Sequence, residues 1–381
     1  MKTTGKIVLG AVTLSLLGAA CGSDDKTSSE SQSSGGEAVC PKNIVIQTDW
    51  YPEAEHGGTY QLIGPNGTAD KATVSYKGPI QSQYAVGGVE TVEIRAGGGA
   101  IQFTPVTAQM YIKDEITFGY VNTSDAAKAA KDNPVIGVAK TLELNPQMLQ
   151  WDPAQLTIET PEDFAASGAK VLHFSGTTYM DYLVSKGYVT AAQVDPSYDG
   201  SPGAWIADGG NFIQQGFATN EVYKYENEIQ WKNGAPAPVK YMLVDALGFH
   251  DYPAMLSVRK DKLEALKPCL QVLVPKMQQA WVDYLKNPKP VNDALIKINE
   301  THDGFWKVSE PLNAAAVEKF SSDKIAVNGT DGKYCGFDEA RVQGLLDLLK
   351  PVFAKQGLDT GGDVKLDQVV DNEFCKDAPG L

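Results

Sequence analysis

The sequence predicts an α/β protein built from parallel βαβ units, and three observations lead to that prediction. Short apolar segments typical of strands alternate along the chain with segments typical of helices. Hydrophobic residues make up 43% of the 381 residues and charged residues 21%, a composition that can bury a substantial core. The 37 glycines and 21 prolines favour a loop-rich protein and argue against a coiled coil or a helical array.

The first half of the folded region contains five predicted strands and three predicted helices. The strands are predicted at 43–47, 72–77, 91–95, 116–121 and 134–144. The helices are predicted at 55–63, from a tight glycine turn at 97–99 through residue 112, and at 124–131. The glycine turn lacks the spacing and the following lysine of a phosphate-binding loop, so it does not indicate nucleotide hydrolysis. The long apolar segment 134–144 is the predicted crossover to a second half.

The alternation restarts at Thr160, where Pro161 and Asp163 complete the pattern of a capped helix start. Strands are then predicted at 170–174, 212–215, 239–244 and 254–258, with helices ending near 186 and covering 219–229. From residue 259 onward the pattern is almost entirely helical, with helices predicted at 261–286, 291–301, 312–321 and 338–355. The chain thus reads as two α/β halves joined by a crossover, a return strand and a helical C-terminal tail.

The N-terminal segment predicts export and anchoring. Residues 1–20 have a basic start and an apolar run, which is the pattern of a signal peptide. Cys21 follows Leu17-Gly18-Ala19-Ala20, which resembles a bacterial lipobox, and the segment 21–39 is a flexible Ser/Gly-rich tether. We therefore expect a lipidated Cys21 on the extracytoplasmic face of the cell membrane, and the alternative is a plain signal peptide with an incidental cysteine.

The charge balance restricts the partners of the protein. Lys and Arg number 33 against 47 Asp and Glu, so the formal net charge is −14. Such a surface repels phosphate backbones and disfavours direct adsorption to anionic lipid. We expect no nucleic-acid binding, and membrane contact only through the N-terminal lipid.

Four further cysteines, at positions 40, 269, 335 and 375, suggest two disulfides in an exported protein. Three pairings are possible, and four buried thiols are a further alternative. We favour Cys335–Cys375, which would attach the C-terminal tail to a helix start, and this leaves Cys40–Cys269. No pair has the spacing of a zinc site and the chain has only 4 histidines, so we expect no metal site and no cofactor.

Several segments resemble the thiamine-pyrimidine synthase-like family of solute-binding proteins. The segments are Asp49–Pro52 with His56–Tyr60, Ile116–Val121, Asn133–Ala139, and Thr160–Phe164 with Ala169–Val171. They occur in the family's order and cover roughly residues 43–300, whereas 197–216 and the tail after 301 match poorly.

The resemblance implies a type II periplasmic-binding-protein fold, with two α/β lobes, a ligand cleft between them and a two-strand hinge. Lobe 1 would hold residues 40–138 plus 246–381, and lobe 2 residues 139–245. Members bind thiamine pyrimidine precursors or riboflavin-like compounds, and wider relatives bind sulfonates, taurine or nitrate. The resemblance therefore implies a monomeric solute-binding lipoprotein of an ABC importer, with a small molecule and permease subunits as its partners.

An enzymatic function is the less favoured alternative. A eukaryotic branch of the same family makes thiamine pyrimidine and uses a cysteine-rich run after lobe 2. The matching stretch here, Leu247–Pro253, contains no cysteine. We therefore expect a binding protein rather than an enzyme.

Candidate ligand-binding residues lie where strands of an open α/β sheet end, because ligands bind beyond the carboxyl ends of such strands. The candidates are Trp50, Tyr51, His56 and Tyr60; Asn122 and Thr123; Ser175, Gly176, Thr177, Thr178 and Tyr179; Asn220 and Glu221; and, beside the hinge, His250, Asp251 and Tyr252. Packing and helix capping are the alternative roles of these residues. The rings and acceptors, without Arg or Lys in these corners, favour a flat, neutral or amine-bearing heterocycle. A small anion bound at residues 175–178 is the alternative.

Overall fold

A computed structural model describes residues 38–381. These residues form twelve strands and eleven α-helices. The strands are Asn43–Gln47 (β1), Thr68–Asp70 (β2), Ser75–Pro79 (β3), Thr91–Arg95 (β4), Phe118–Val121 (β5), Val135–Ala139 (β6), Gln147–Trp151 (β7), Val171–Leu172 (β8), Val194–Asp195 (β9), Ile213–Phe217 (β10), Lys240–Leu243 (β11) and Met255–Arg259 (β12). The helices are Gly57–Gln61 (α1), Val106–Ile112 (α2), Thr123–Lys128 (α3), Pro161–Ser167 (α4), Thr178–Lys186 (α5), Gly203–Asp208 (α6), Glu221–Asn227 (α7), Leu263–Lys286 (α8), Lys289–His302 (α9), Glu310–Ser322 (α10) and Glu339–Gln356 (α11). The predicted signal peptide, Cys21 and nearly all of the predicted tether lie outside the described residues.

The strands form two separate sheets, which are the centres of two lobes. The first sheet has the order β2-β3-β4-β1-β5-β12-β6 and the second β11-β7-β10-β8-β9. Strand β1 pairs in parallel with β4 and β5, and β8 pairs in parallel with β9 and β10. The remaining pairs are antiparallel, so the predicted parallel arrangement is confirmed only for β1 with its two neighbours and for β8 with its two neighbours.

The chain passes between the sheets twice, after β6 and after β11, and these two passages form the hinge. The predicted strand 134–144 ends earlier than expected, at Ala139. Beyond that point the backbone N–H of Lys140 donates to the carbonyl of Cys335, and that of Glu143 to the carbonyl of Ile325. Carbonyl groups of the C-terminal region therefore accept the hydrogen bonds that a neighbouring strand would otherwise accept, and β6 ends at Ala139.

Two other differences from the predicted elements have local causes. The predicted strand 72–77 begins only at Ser75, because the residues before it form the turn from β2 into β3, in which Val74 adopts a left-handed conformation with φ of 46°. Strand β7 was not predicted because it lies inside its sheet and is largely buried, so its side chains do not alternate between apolar and polar. The capped start of α4 is confirmed, since Thr160 and Asp163 form a capping box.

Close contact between α1 and α8 fixes the loop that follows β1. A Cβ atom at Gly58 would lie 2.1 Å from the Trp281 ring, and one at Gly57 would lie 2.1 Å from the Tyr284 ring. Only glycine permits this approach. The aromatic face of α8 thus holds the segment that carries Trp50 against the first lobe.

Two disulfides connect distant parts of the chain. Cys40 is bonded to Cys269, which joins the residues before β1 to helix α8. Cys335 is bonded to Cys375, which joins the residues before helix α11 to the residues that follow it.

One arginine at the start of α11 holds both passages of the hinge. The Arg341 Nη1 atom donates to the carbonyl of Glu143 (2.7 Å), on the first passage. Its Nε and Nη2 atoms donate to the carbonyls of His250 (3.1 Å) and Asp251 (3.0 Å), on the second. The guanidinium also lies 3.9 Å from the centre of the Tyr252 ring.

We expect the variant Arg341→Lys to lower the free energy of unfolding by about 2–3 kcal/mol, since an ammonium group cannot replace the fork of donors. Urea denaturation followed by circular dichroism measures this change. The control is Arg95→Lys, whose guanidinium pairs with the side chains of Glu93 and Glu115 near the surface. Equal destabilisation by the two variants would contradict the hinge role.

Candidate functional site

A cleft of about 500 Å³ lies between the two sheets, and both lobes contribute to its walls. The first lobe supplies residues that follow β1, β4 and β5, and the second lobe supplies residues that follow β8, β9 and β10. These are the parallel strands of each sheet, so the cleft lies beyond their carboxyl ends, where an open α/β sheet binds ligands.

Five aromatic residues form one wall of the cleft, which we call the aromatic wall. It consists of Trp50 and Phe103 from the first lobe, Phe174 and Tyr198 from the second, and Trp306 from the loop between α9 and α10. The Trp50 ring centroid lies 5.3 Å from that of Phe174 and 5.5 Å from that of Trp306. Phe174 in turn lies 4.9 Å from Tyr198. Trp50 therefore contacts rings of both lobes.

Four carboxyl groups also line the cleft, and we call this group the acidic wall: Asp49, Glu53, Asp125 and Glu221. The exposed Asp132 lines the rim beside them, and Lys128 is the one basic residue lining the cleft in the part of the chain that the structure describes. The cleft therefore carries a marked excess of acidic groups.

Burial disfavours ionisation of three carboxyl groups of the acidic wall, those of Glu53, Asp125 and Glu221. Burial raises the pKa of Glu221 to about 7 and that of Asp125 to about 6. Burial, together with the neighbouring charges of Glu55, Asp49 and Glu221, raises the pKa of Glu53 well above its ordinary value. The hydrogen bonds that Glu221 and Asp125 accept come from the N–H of Phe217 (2.7 Å) and from Asn122 Nδ2 (3.1 Å).

A buried carboxyl group behind this wall joins the lobes. The Oε1 atom of Glu55, from the first lobe, accepts hydrogen bonds from Asn220 Nδ2 (2.7 Å) and from the hydroxyl of Thr219, both from the second lobe. Asn220 Nδ2 also lies 3.4 Å from Glu53 Oε2. Asn220, predicted as a ligand contact, thus lines the cleft and fastens the lobes together.

The corner after β8 combines cleft-facing and buried residues. Ser175, Gly176 and Thr177 line the cleft, and the Gly176 carbonyl accepts a hydrogen bond from Lys128 Nζ (2.9 Å). Thr178 and Tyr179 face a smaller adjoining cavity of about 60 Å³, which Asn122 and Asp251 also line. The corner can therefore offer hydroxyl and backbone groups to a polar ligand atom.

Nine predicted ligand residues do not line the cleft: three of them, Thr178, Tyr179 and Asp251, line only the adjoining cavity, and six line neither space. The first three of these six support the segment after β1. His56 is buried, and its Nε2 atom is hydrogen-bonded to Asp49 Oδ1 (2.8 Å), so it orients a residue of the acidic wall. Tyr60 is buried in the core beside Tyr76. Tyr51 packs behind Trp50, with its ring centroid 5.6 Å away.

The other three surround the hinge. Thr123 contacts the carbonyl of Tyr252, and the Tyr252 ring supports Arg341. His250 is exposed, with Nδ1 2.9 Å from Asp245 Oδ1. Beside them Asp251 accepts hydrogen bonds from the N–H (3.0 Å) and the hydroxyl (2.6 Å) of Ser124. These contacts give the residues structural roles at the hinge.

Sequence reasoning missed most of the acidic wall and most of the aromatic wall. Asp49 and Glu53 flank the Trp50-Tyr51-Pro52 corner, so their position in the chain was a usable signal. Trp306 lies in the tail for which no motif was found. The predicted absence of Lys from the ligand corners does not hold for the cleft as a whole, because Lys128 extends from α3 to the corner after β8.

No protein-family model and no curated protein sequence matches the chain. Solved structures do match it. The periplasmic aliphatic sulphonate binding protein SsuA from Escherichia coli has a TM-score of 0.56 at 11% identity, over 86% of this chain and 92% of that one. SsuA from Xanthomonas axonopodis pv. citri, bound to MOPS, has a TM-score of 0.53 at 11% identity, over 89% of this chain and 100% of that one. The chain has the periplasmic-binding-protein fold.

A third similar structure is a ligand-binding component of an ABC-type import system from Staphylococcus aureus with zinc bound, at a TM-score of 0.52 and 12% identity, over 89% of this chain and 99% of that one.

Residues 38–381 hold no group of three His, Cys, Asp or Glu side chains placed to bind a metal. No helix in the same range has the length and apolarity to cross a membrane. The ligands named for the SsuA proteins are sulphonates, so these structures lend no support to a thiamine precursor.

We expect the variant Asn220→Ala to destabilise the protein by about 1–3 kcal/mol, because the buried Glu55 carboxyl loses a donor from the other lobe. Burial raises the pKa of Glu55, and the hydrogen bonds from Thr219 and Asn220 oppose that shift. The ionised form of Glu55 depends on the donor more than the protonated form does. The loss in free energy of unfolding should therefore be larger at pH 8 than at pH 5.

Urea denaturation at the two pH values measures the effect. The control is Asn227→Ala, an exposed residue at the end of α7, the helix that Asn220 precedes; its Nδ2 donates to the carbonyl of Tyr223 (2.9 Å). A pH-independent loss for Asn220→Ala would contradict the role of Glu55.

Proposed function

We propose that this protein is the extracytoplasmic solute-binding component of an ABC importer, and that it captures a small organic solute in the cleft between its lobes. The observation that carries the proposal is the position of the cleft, which is lined from both lobes at the carboxyl ends of their parallel strands. The fold shared with periplasmic binding proteins supports the same function.

The proposal includes the organisation of the chain. Lobe 1 comprises residues 40–138 plus 246–381 and lobe 2 residues 139–245, which assigns β1–β6 and β12 to one lobe and β7–β11 to the other. A monomer attached through a lipid on Cys21 delivers the solute to membrane permease subunits. The predicted signal peptide and tether support this placement.

We propose binding rather than catalysis. The stretch Leu247–Pro253, which corresponds to the cysteine-rich run of the enzymatic branch, contains no cysteine. The cleft presents rings and carboxyl groups, which recognise and hold a solute.

The aromatic wall supports a solute with a flat ring, of the size of a thiamine pyrimidine precursor or a riboflavin-like compound. Trp50 contacts rings of both lobes, so a flat solute held against it would touch both. The second candidate is a sulfonate, taurine or nitrate. The sulphonates named for the similar structures support it, as do Lys128 and the hydroxyls of the corner after β8.

We expect the variant Trp50→Ala to weaken binding of a ring-bearing solute by roughly 10–100-fold, since stacking and buried apolar area are lost together. Calorimetric titration of the parent and the variant with an aminopyrimidine, riboflavin, taurine and nitrate measures it. The control is Tyr188→Ala, a second-lobe aromatic residue outside the cleft. Binding of small anions alone, unaffected by Trp50→Ala, would favour the second candidate.

Solute binding should also close the cleft by rotation of the lobes about the hinge. Small-angle X-ray scattering of the cargo-free protein, with and without a saturating solute from the same panel, should show a smaller radius of gyration in the bound form. A radius that stays constant at saturation would contradict hinge closure.

A further inference from the structure

The charged residues that line the cleft indicate the charge of the solute. The acidic wall contains four carboxyl groups, and three of them accept hydrogen bonds from neutral groups: the backbone N–H of Phe217 and the side-chain amides of Asn122 and Asn220. Within the described part of the chain, no Lys or Arg lies at ion-pair distance from Glu53, Asp125 or Glu221. Buried carboxyl groups without a cationic partner are costly, and a cation supplied from outside would remove that cost.

Glu53 is the clearest case. It is 2% exposed, it lines the cleft, and Asn220 Nδ2 approaches its Oε2 atom only to 3.4 Å. Its Oε1 atom accepts no hydrogen bond from the residues that the structure describes, although a carboxylate can accept several. A buried acceptor with free capacity that faces a cavity is placed to receive a donor from a ligand.

The neighbouring lysine does not fill this role. Lys224 lies on α7 close to Glu53 and Glu221, but its Nζ atom donates to the carbonyl of Lys307 (2.6 Å). The same atom lies 4.2 Å from the centre of the Trp306 ring. The aromatic wall therefore already binds one cation through a ring face, which shows that its rings accept positive charge.

We propose that the solute of this cleft is a cation, an ammonium or protonated amine attached to a ring-bearing body, and that Glu53 and Glu221 bind the charged group while the aromatic wall holds the body. This inference rests on the proposed function, since it assumes that the cleft binds a solute. A volume of about 500 Å³ suits a molecule of this kind.

The opposite charge fits the same walls poorly. An anion would approach four carboxyl groups and would find Lys128, whose Nζ atom already donates to the Gly176 carbonyl. These carboxyl groups offer an anion no partner of opposite charge, and each of them that is ionised would repel it. The sulphonates named for the similar structures are ligands of those proteins, at 11% identity to this chain.

Three probes with one ring and different charge test the proposal: 2-phenylethylamine, 2-phenylethanol and 2-phenylethanesulfonate. Calorimetric titration of the cargo-free, purified full chain at neutral pH gives their affinities. The amine should bind at least ten-fold more tightly than the alcohol, and the sulfonate more weakly than both.

The variants Glu53→Gln and Glu221→Gln should each weaken amine binding about ten-fold and leave alcohol binding unchanged. Gln preserves the shape but cannot ionise to pair with an ammonium group, and it adds no buried charge, so both variants should melt at least as high as the parent. The control is Glu162→Gln, an exposed residue of α4, which should change neither affinity.

Equal affinities for the three probes, or tightest binding of the sulfonate, would overturn the cation assignment and leave solute binding intact. Unchanged amine affinity in both Glu variants would overturn the assignment of these two residues. If none of the three probes binds, the cation assignment falls. If the aminopyrimidine, riboflavin, taurine and nitrate also fail to bind, the proposed function falls with it.

Discussion

The buried carboxyl group of Glu55 determines how the two lobes meet. A carboxyl removed from water must find donors, and here Thr219 and Asn220 of the other lobe provide them. That requirement brings the loop after β10 against the loop after β1. Glu53, Glu221 and Trp50 lie on or beside these loops, so the acidic wall and the aromatic wall are assembled by the same contact.

The cleft is therefore a product of long-range folding. Trp50, Phe174 and Trp306 are far apart in the chain, yet their rings are neighbours. The first sheet, the second sheet and the C-terminal helical region each contribute one of them. Arg341 adds a further link from the C-terminal region, because it binds both passages of the hinge. The helical tail thus takes part in the hinge as well as in the core.

Local signals in the sequence predicted local structure well. The apolar segments gave β1 and β4 with their observed bounds, and the Thr160–Asp163 pattern correctly predicted the start of α4. What failed depended on tertiary contacts: β7 is buried inside its sheet, and β6 is cut short by hydrogen bonds to the C-terminal region. For the site, Trp50, Asn220 and Glu221 were predicted from strand ends and line the cleft, whereas Trp306 becomes recognisable only in the folded structure.

The disulfide between Cys40 and Cys269 has a mechanical consequence. Cys40 lies three residues before strand β1, so any tension on the chain that precedes Cys40 reaches this bond before it reaches the strand. The bond transmits the load to helix α8, which has 24 residues and packs across the first lobe. Strand β1 is then shielded from being peeled out of the middle of its sheet, and the corner that carries Trp50 keeps its shape under load.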